Sequence, residues 1–432
     1  MDVSITDLSL ARSACGIIGV AEGYHTNMIR TAIYRFLKRR HFWRYATFGE
    51  ISELYASRMM RLLAQFMINM FIALYLYEQG YSIFFITIFY TISFAFRMFM
   101  AYPAARFVAK FGPKHGILLA NLLYIPALLF FPFVPSMGIE AIVLFGLFQS
   151  TSIVIFDLSY LVDFSKVKHV DHAGKEIGYM QIFERLTASL SPLIGGLVAF
   201  LISPAATMWL SALLFLTASL PLFRTREQVR LNQTLDFKRF PWRLARRSII
   251  VETAAGFDVF ASNAVWVLFI STVVFMSRGN DIYFTVGAFA SITALTSFMA
   301  AYAYGRIIDW RHGGDLLKIA VIGNAMTHAF RPFVNSPSGV AAANITNELA
   351  TTGYQMAFIR GVFDTADSAT GHRIVYLYFI EIALHAGAFI GGVCFLLLQI
   401  LLPNPTAAMQ LFFVVTAAYV LLPLKAKFPL YQ

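Results

Sequence analysis

"RTREQVRLNQTLDFKRFPWRLARRS", residues 224–248, is the longest linker between apolar runs, and it sits near the middle of a 432-residue chain. It carries eight basic residues against two acidic ones. Six apolar runs precede it and six follow, each close to the 20 or so residues a helix needs to cross a bilayer core. They fall at about 56–77, 82–104, 116–135, 138–161, 179–202, 205–223, 249–275, 282–304, 316–334, 338–361, 376–401 and 406–424. The chain is 58% hydrophobic and 13% charged, with a mean hydropathy of +0.66. A soluble domain carries about 25% charged residues. The reading is an all-α polytopic membrane protein with about 12 transmembrane helices.

The basic residues sort to one side. Arg35, Lys38, Arg39, Arg40 and Arg44 precede the first span, and Arg106, Lys110 and Lys114 follow the second. Lys166, Lys168 and Lys175 follow the fourth, Arg306, Arg311 and Lys318 the eighth, and Lys425 and Lys427 the twelfth. The alternate loops ("EQGYS", "VPSMGIE", "ISPAA", "LPNP") lack basic residues, and only Arg278 in "MSRGND" breaks the pattern. Such asymmetry puts the basic side, with both termini, in the cytoplasm. The net charge of +11 is then a topology signal and an attraction to anionic headgroups, not a nucleic-acid footprint. Short outer loops and no cleavable signal point to a prokaryotic inner membrane. Cys15 and Cys394 read as ordinary apolar residues, and no Cys/His spacing suggests a metal or any other cofactor.

The expected organisation is a basic amphipathic cytoplasmic segment (1–49), a six-helix bundle (50–223), the linker (224–248), a second six-helix bundle (249–425) and a short tail (426–432). Internal similarities support two pseudo-symmetric bundles. "SPLIGG" (191–196) is echoed by "GAFIGG" (387–392), and Glu53 by Glu252. "ARFVAKFGPKHG" after the second span is echoed by "GRIIDWRHGGD" after the eighth.

Two six-span units joined by a basic loop resemble the major facilitator superfamily over residues 50–425. That family's loop signature, G-x-x-x-D-[RK]-x-G-x-[RK], is met at 105–114 by Lys110, Gly112 and Lys114, with Ala105 and Ala109 replacing its glycine and aspartate. The second copy keeps Gly305 and Asp309. The resemblance implies a cytoplasmic gate there, with Asp157 close by. In span five, "TASLSPLIGG" (187–196) matches the family's g-x-x-x-G-P-x-x-G-G at Pro192, Gly195 and Gly196, with Ser191 for the first glycine. These residues permit bending and close helix contact. "GLFQS" (146–150) keeps the Gln149 of R-x-x-Q-G but has Gly146 for its arginine.

"NITNELATTG" (344–353) is the polar exception within span ten. Asn344, Asn347, Glu348, Thr351 and Gln355 fall at i, i+3, i+4, i+7 and i+11, one face of a helix. Glu348 lies about 15 Å from the start of the span, at 1.5 Å per residue. A carboxylate at that depth costs at least about 2.5–3.5 kcal/mol and marks a functional candidate by default. The resemblance implies that spans one, four, seven and ten line a central cavity. The candidate substrate or coupling-ion residues are Gln65, Asn69, Gln149, Asp258, Asn344, Asn347 and Glu348. Glu381 and His385 form either a proton relay or a structural hydrogen bond. Asn324, His328 and Arg331 make an unexplained polar face on span nine, and Arg97 on span two is a candidate partner for one of the buried acids, bridging the halves.

The sequence reads as a secondary transporter of a small, amphipathic molecule by alternating access, with protons as the coupling ion and lipid around it. A flippase for a lipid or lipid-linked amphiphile is the alternative on the same fold. A membrane-embedded enzyme finds no HExxH, G-x-S-x-G or dense His/Asp cluster, and it stays remote along with a non-transporting sensor.

Overall fold

The computed structural model describes residues 50–69, 71–167, 173–223, 231–275, 281–309, 312–369 and 371–425. The basic segment 1–49, the tail from 426 onward and Arg278 lie outside them. No strand occurs among the described residues. Within them, twelve helical rods follow one another, and the all-α polytopic reading holds. We number them α1 (Glu50–Asn69 and Phe71–Glu78), α2 (Ile83–Phe111), α3 (Pro113–Phe130), α4 (Ile139–Val167), α5 (Ala173–Leu201) and α6 (Pro204–Ser219). After the linker come α7 (from Trp242–Phe260), α8 (Asp281–Asp309), α9 (Gly313–Phe330), α10 (Pro337–Ser368), α11 (Arg373–Leu401) and α12 (Pro405–Tyr419).

Among the described residues, eight rods are long and apolar enough to cross a membrane. The remaining four are α5, α8, α9 and α10. α9 and α10 hold the two polar faces noted above, so their hydropathy is low because those residues turn inward, as shown below.

Local chemistry explains where the rods stop. At one end of the bundle, Ser82, Ser203, Ser336 and Asn404 each cap a helix by accepting a backbone N–H. Proline occupies the first turn after three of these caps, where its missing N–H costs nothing. Such self-contained starts allow very short loops, and those at 79–82, 134–138, 202–203 and 402–404 hold no basic residue. We call it the neutral end. At the opposite, basic end, Gly112 adopts φ +90°, a conformation that closes α2 and turns the chain into α3.

The linker is more than a spacer. Gln233 and Asn232 donate backbone hydrogen bonds to the carbonyls of Ala109 and Lys110 at 2.8 and 3.2 Å. Phe237 packs edge-on against Tyr378 and Phe379 of α11 and lies near Tyr102 of α2. The strap therefore ties α2 to α11 across the basic end.

Helix starts repeat along the chain: 83 and 281, 113 and 313, 139 and 337, 173 and 373, 204 and 405. The spacing stays near 200 residues throughout. Two 3₁₀ turns at the neutral end, Phe131–Phe133 and Arg331–Phe333, recur at the same interval with the sequences FPF and RPF. Packing repeats too. α3 lies on α4 and α6 as α9 lies on α10 and α12, and α2 lies on α4 as α8 lies on α10. The two sets of six meet mainly along α5–α8 and α2–α11, inside one compact unit covering Ser52–Gln432.

Small residues make the α5–α8 contact close. A Cβ added at Gly196 would sit 2.6 Å from the Tyr283 carbonyl, and one at Gly287 would strike the Pro192 carbonyl. Gly195 faces the backbone of Met67 in α1. Pro192 lies inside α5, and its ring removes one helical hydrogen bond.

Candidate functional site

A cavity of about 350 Å³ lies at the centre of the bundle, between the two sets of six helices. α1 contributes Phe66 and Asn69, α5 Glu184 and Pro192, α7 Asp258 to Ile270, α8 Val286 and Ala290, and α10 Asn344, Asn347, Glu348, Thr351 and Gln355. Arg331 comes from the turn after α9. The polar stripe of α10 is thus one wall of this space. Cross-contacts exist at both ends. Tyr283 hydrogen-bonds Glu78 and packs on Phe71 toward the neutral end, and Phe164 packs on Phe363 at 5.4 Å toward the basic end.

Asp258 anchors the most elaborate cluster. Its carboxylate accepts from Ser262 (3.0 Å), His328 Nε2 (2.8 Å), Asn324 (3.0 Å) and Tyr354 (3.3 Å). A carboxylate offers about four lone-pair sites, and all four have donors here. Arg331 Nη1 donates to Ser262 Oγ at 3.1 Å and meets His328 Nδ1 at 3.0 Å. Because arginine can only donate, Nδ1 must present its lone pair and Nε2 must carry the proton. His328 is therefore a neutral imidazole in one defined tautomer, held between a carboxylate and a guanidinium. The polar face of α9, unexplained by sequence, is the other half of the Asp258 site. Arg331 also lies 4.8 Å from the Trp266 ring and 5.7 Å from that of Phe413, and Trp266 Nε1 donates to Asn344 at 2.7 Å.

The first six helices hold a second buried arginine. Arg61 is 1% exposed. It donates to Asn121 (2.9 Å) and Ser152 Oγ (3.1 Å) and stacks over Phe156 at 3.9 Å. Arg58 pairs with Glu184 at 2.5 Å and lies over Tyr160. From Asn69 a chain runs through Tyr124 to Gln149, and Gln149 accepts from Arg97 at 3.4 Å. Arg97 also donates to Ser150. Its described hydrogen-bond partners are thus neutral groups of α4, and the acids Asp157 and Glu381 lie within electrostatic reach.

Of the sequence candidates, Asn69, Asp258, Asn344, Asn347 and Glu348 line the cavity. Gln149 is buried behind the wall in the Tyr124 network, and Gln65 is not among the lining residues. Glu381 and His385 Nε2 lie 3.0 Å apart and buried on α11, and neither His385 nitrogen makes a hydrogen bond among the described residues. His385 faces Phe94 of α2 instead. Of the gate candidates, Lys110 is exposed beside Phe111, Gly112 makes the α2 turn, and Gly305 has only the end of the Met356 side chain near where a Cβ would sit. The Asp309 side chain lies outside the described residues. Asp157 sits mid-helix, within electrostatic reach of Arg58, Arg61 and Glu381 rather than at the basic end. Lys114 pairs with Glu53 at 3.4 Å, both buried. Sequence reading passed over Glu184 and Trp266. Glu184 carried the available signal, an acid in α5 of opposite sign to Arg58 and Arg61 on α1.

A family model described as Major Facilitator Superfamily matches residues 54–366. The chain belongs to the Major Facilitator Superfamily. It is an integral membrane protein, and the superfamily's members are transporters that carry small molecules rather than enzymes. Solved superfamily structures share the fold. The transporter FucP in its outward conformation is 14% identical over 87% of this chain and 98% of its own, with a TM-score of 0.60. The human organic anion transporter MFSD10 (TETRAN) is 13% identical over 88% and 98%, with a TM-score of 0.64. A point variant of the E. coli fucose:proton symporter FucP gives 14%, 88%, 99% and 0.60. A sequence comparison with curated proteins returns no match. At such identities the structures speak to superfamily architecture and not to substrate.

Proposed function

We propose that the cavity holding Asn69, Asp258, Asn344, Asn347 and Glu348 is the translocation site of a secondary transporter working by alternating access. The two six-helix sets, 50–223 and 249–425, act as the moving bodies, with 224–248 as their cytoplasmic connection. The observation that carries this reading is the cavity's position. It sits between the two sets, polar on α7 and α10, with separate cross-contacts toward each end. Opening one layer of contacts while the other stays shut gives access from one side at a time.

The coupling ion in this reading is the proton. An Asp–His–Arg cluster in the cavity wall offers groups whose charge can change without leaving the membrane. The test uses purified protein in sealed liposomes with an entrapped pH dye, challenged with pooled sugars, amino acids, nucleosides, organic anions and cationic drugs. Proton movement driven by one pool, and lost in Glu348→Gln or Asp258→Asn, is the expected result. Proton movement intact in both variants would refute the coupling assignment.

The lipid alternative rests on a different observation. The cavity wall includes apolar Phe66, Val259, Val267, Ile270 and Val286 beside its polar groups, which suits an amphipathic cargo. Flip of a fluorescent lipid in the same liposomes, with no response to any soluble pool, would favour it.

A further inference from the structure

Arg331 is bonded on one side only. Both of its hydrogen bonds leave through Nη1, to Ser262 and His328. Nε is buried with no partner, and the Nε–Nη2 edge of the guanidinium makes no hydrogen bond among the described residues. A buried donor left unmet is unfavourable, and an oxygen of a bound ligand would meet it. Side by side, Nε–H and Nη2–H form the fork that matches two oxygens of a carboxylate, sulfonate or phosphate. Arg331 lines the cavity.

Asp258 cannot take a proton without displacing a donor, since four donors already occupy its oxygens. His328 Nδ1 is different. Its lone pair is blocked by one contact, Arg331 Nη1. Drawing the guanidinium toward an anion in the cavity would uncover that lone pair and remove a cation from its side. The charged and titratable groups around His328 are Asp258 on α7, Arg331 beside it, and Tyr354 and Glu348 on α10; Phe413 is what α12 brings to the guanidinium. With Arg331 withdrawn, the nearest remaining charge is the Asp258 carboxylate, which favours an imidazolium.

Building on the transport reading above, the geometry points to an organic anion as substrate, bound through the Nε–Nη2 fork of Arg331, with one proton carried at the same time on His328 Nδ1. The proton comes from water on the loading side, forms an N–H bond at Nδ1 and leaves when Arg331 returns. One proton moves with one negative charge of the anion, so loading a singly charged anion leaves the cavity's net charge unchanged.

The test takes the purified full-length chain with three membrane-impermeant anions: benzenesulfonate, gluconate and succinate. Benzenesulfonamide and glucose are neutral counterparts, and benzyltrimethylammonium is a cation of similar size. An anion should raise the melting temperature by about 3 °C or more at saturation. Arg331→Lys keeps the charge facing Asp258 but lacks the fork, and it should weaken binding about tenfold or more. His328→Gln can donate to Asp258 and accept from Arg331 as the imidazole does, but it does not titrate. It should still bind the anion and should no longer acidify the interior of liposomes that the wild-type chain acidifies. Binding confined to the neutral or cationic solutes, no binding of any of the three anions, or an anion shift that survives Arg331→Lys would overturn the anion site while leaving the transporter reading in place. Acidification by His328→Gln equal to wild type would overturn the proton's location. Fork-dependent binding with no flux of labelled anion would instead sink the transport reading and keep the site.

Discussion

Asp258 shows what a single intramembrane carboxylate requires. Its four donors come from three helices, α7, α9 and α10, so the residue fastens them together as well as lining the cavity. Removing one partner of a buried charge pair leaves the other unpaired, at a cost of about 3–5 kcal/mol. Asp258→Asn should therefore lower the melting temperature of the purified protein markedly. Asp258→Asn combined with Arg331→Gln should recover part of the loss, because the stranded guanidinium is gone. Strict additivity of the two melting shifts would show that the pair is not energetically coupled. Arg61 makes a contrast, since its described hydrogen bonds go to neutral groups. Arg61→Met exchanges a desolvated cation for an apolar side chain and should destabilise less than Asp258→Asn in the same melt; a larger loss would mean that Arg61 compensates an acid, with Asp157 the first suspect.

At the scale of elements, contact between the two sets of helices depends on backbone approach. Gly196→Ala would push a methyl group against the Tyr283 carbonyl, and overpacking of this kind costs about 1–3 kcal/mol. Gly305→Ala meets only the far end of Met356 at 3.9 Å, and should fall within about 0.5 kcal/mol of wild type. Thermal melts of the two variants side by side check the prediction, and equal effects would mean that the α5–α8 approach is not tight. Reading the sequence located every rod, because apolar runs bounded by Ser-Pro, Asn-Pro or Gly survive without any knowledge of tertiary structure. The stripe on α10 was legible for the same reason, as five polar residues on one helical face. Partnership was not. Nothing in the spacing of Asn324, His328 and Arg331 says that they face Asp258, some 70 positions earlier, and Gln149 resembles a cavity residue until Tyr124 and Arg97 are seen to consume its amide. The strap 231–241 was equally hidden, since a basic linker and a packed one share a composition.

For the whole molecule, alternating access predicts that either layer of cross-contacts can be locked to the same effect. In a background with Cys15 and Cys394 replaced by Ala, the pair Phe164→Cys and Phe363→Cys bridges the basic end, and Glu78→Cys with Tyr283→Cys bridges the neutral end. A short bifunctional thiol reagent should abolish exchange across liposomes in each case, and a cleavable reagent should allow recovery on reduction. Should one lock leave exchange untouched, that end is not a gate and the rocking reading fails. The 200-residue recurrence of helix starts adds a comparison internal to the chain. At the place where the second set carries Arg331, the first carries Phe131, stacked on Phe145 at 4.0 Å. One set holds the charge and its counterpart holds packing. Phe131→Leu should therefore reduce stability by about 1 kcal/mol and leave the wild-type solute preference unaltered, and a changed preference in liposome exchange would contradict that division.

α7 continues beyond Phe260 through two widened turns, Ala261–Val265 and Ile270–Val274, on either side of Trp266–Phe269. Each such turn stores one residue more than an α-helix needs. Were one stored residue to be released, everything on one side of it would rotate by about 100° and advance by about 1.5 Å, like a gear slipping a single tooth. Trp266 rides on the segment between the two. A slip of the helix would swing the indole away from Asn344 and from the guanidinium it now covers, so the backbone of α7 carries its own built-in increment of motion at the cavity wall.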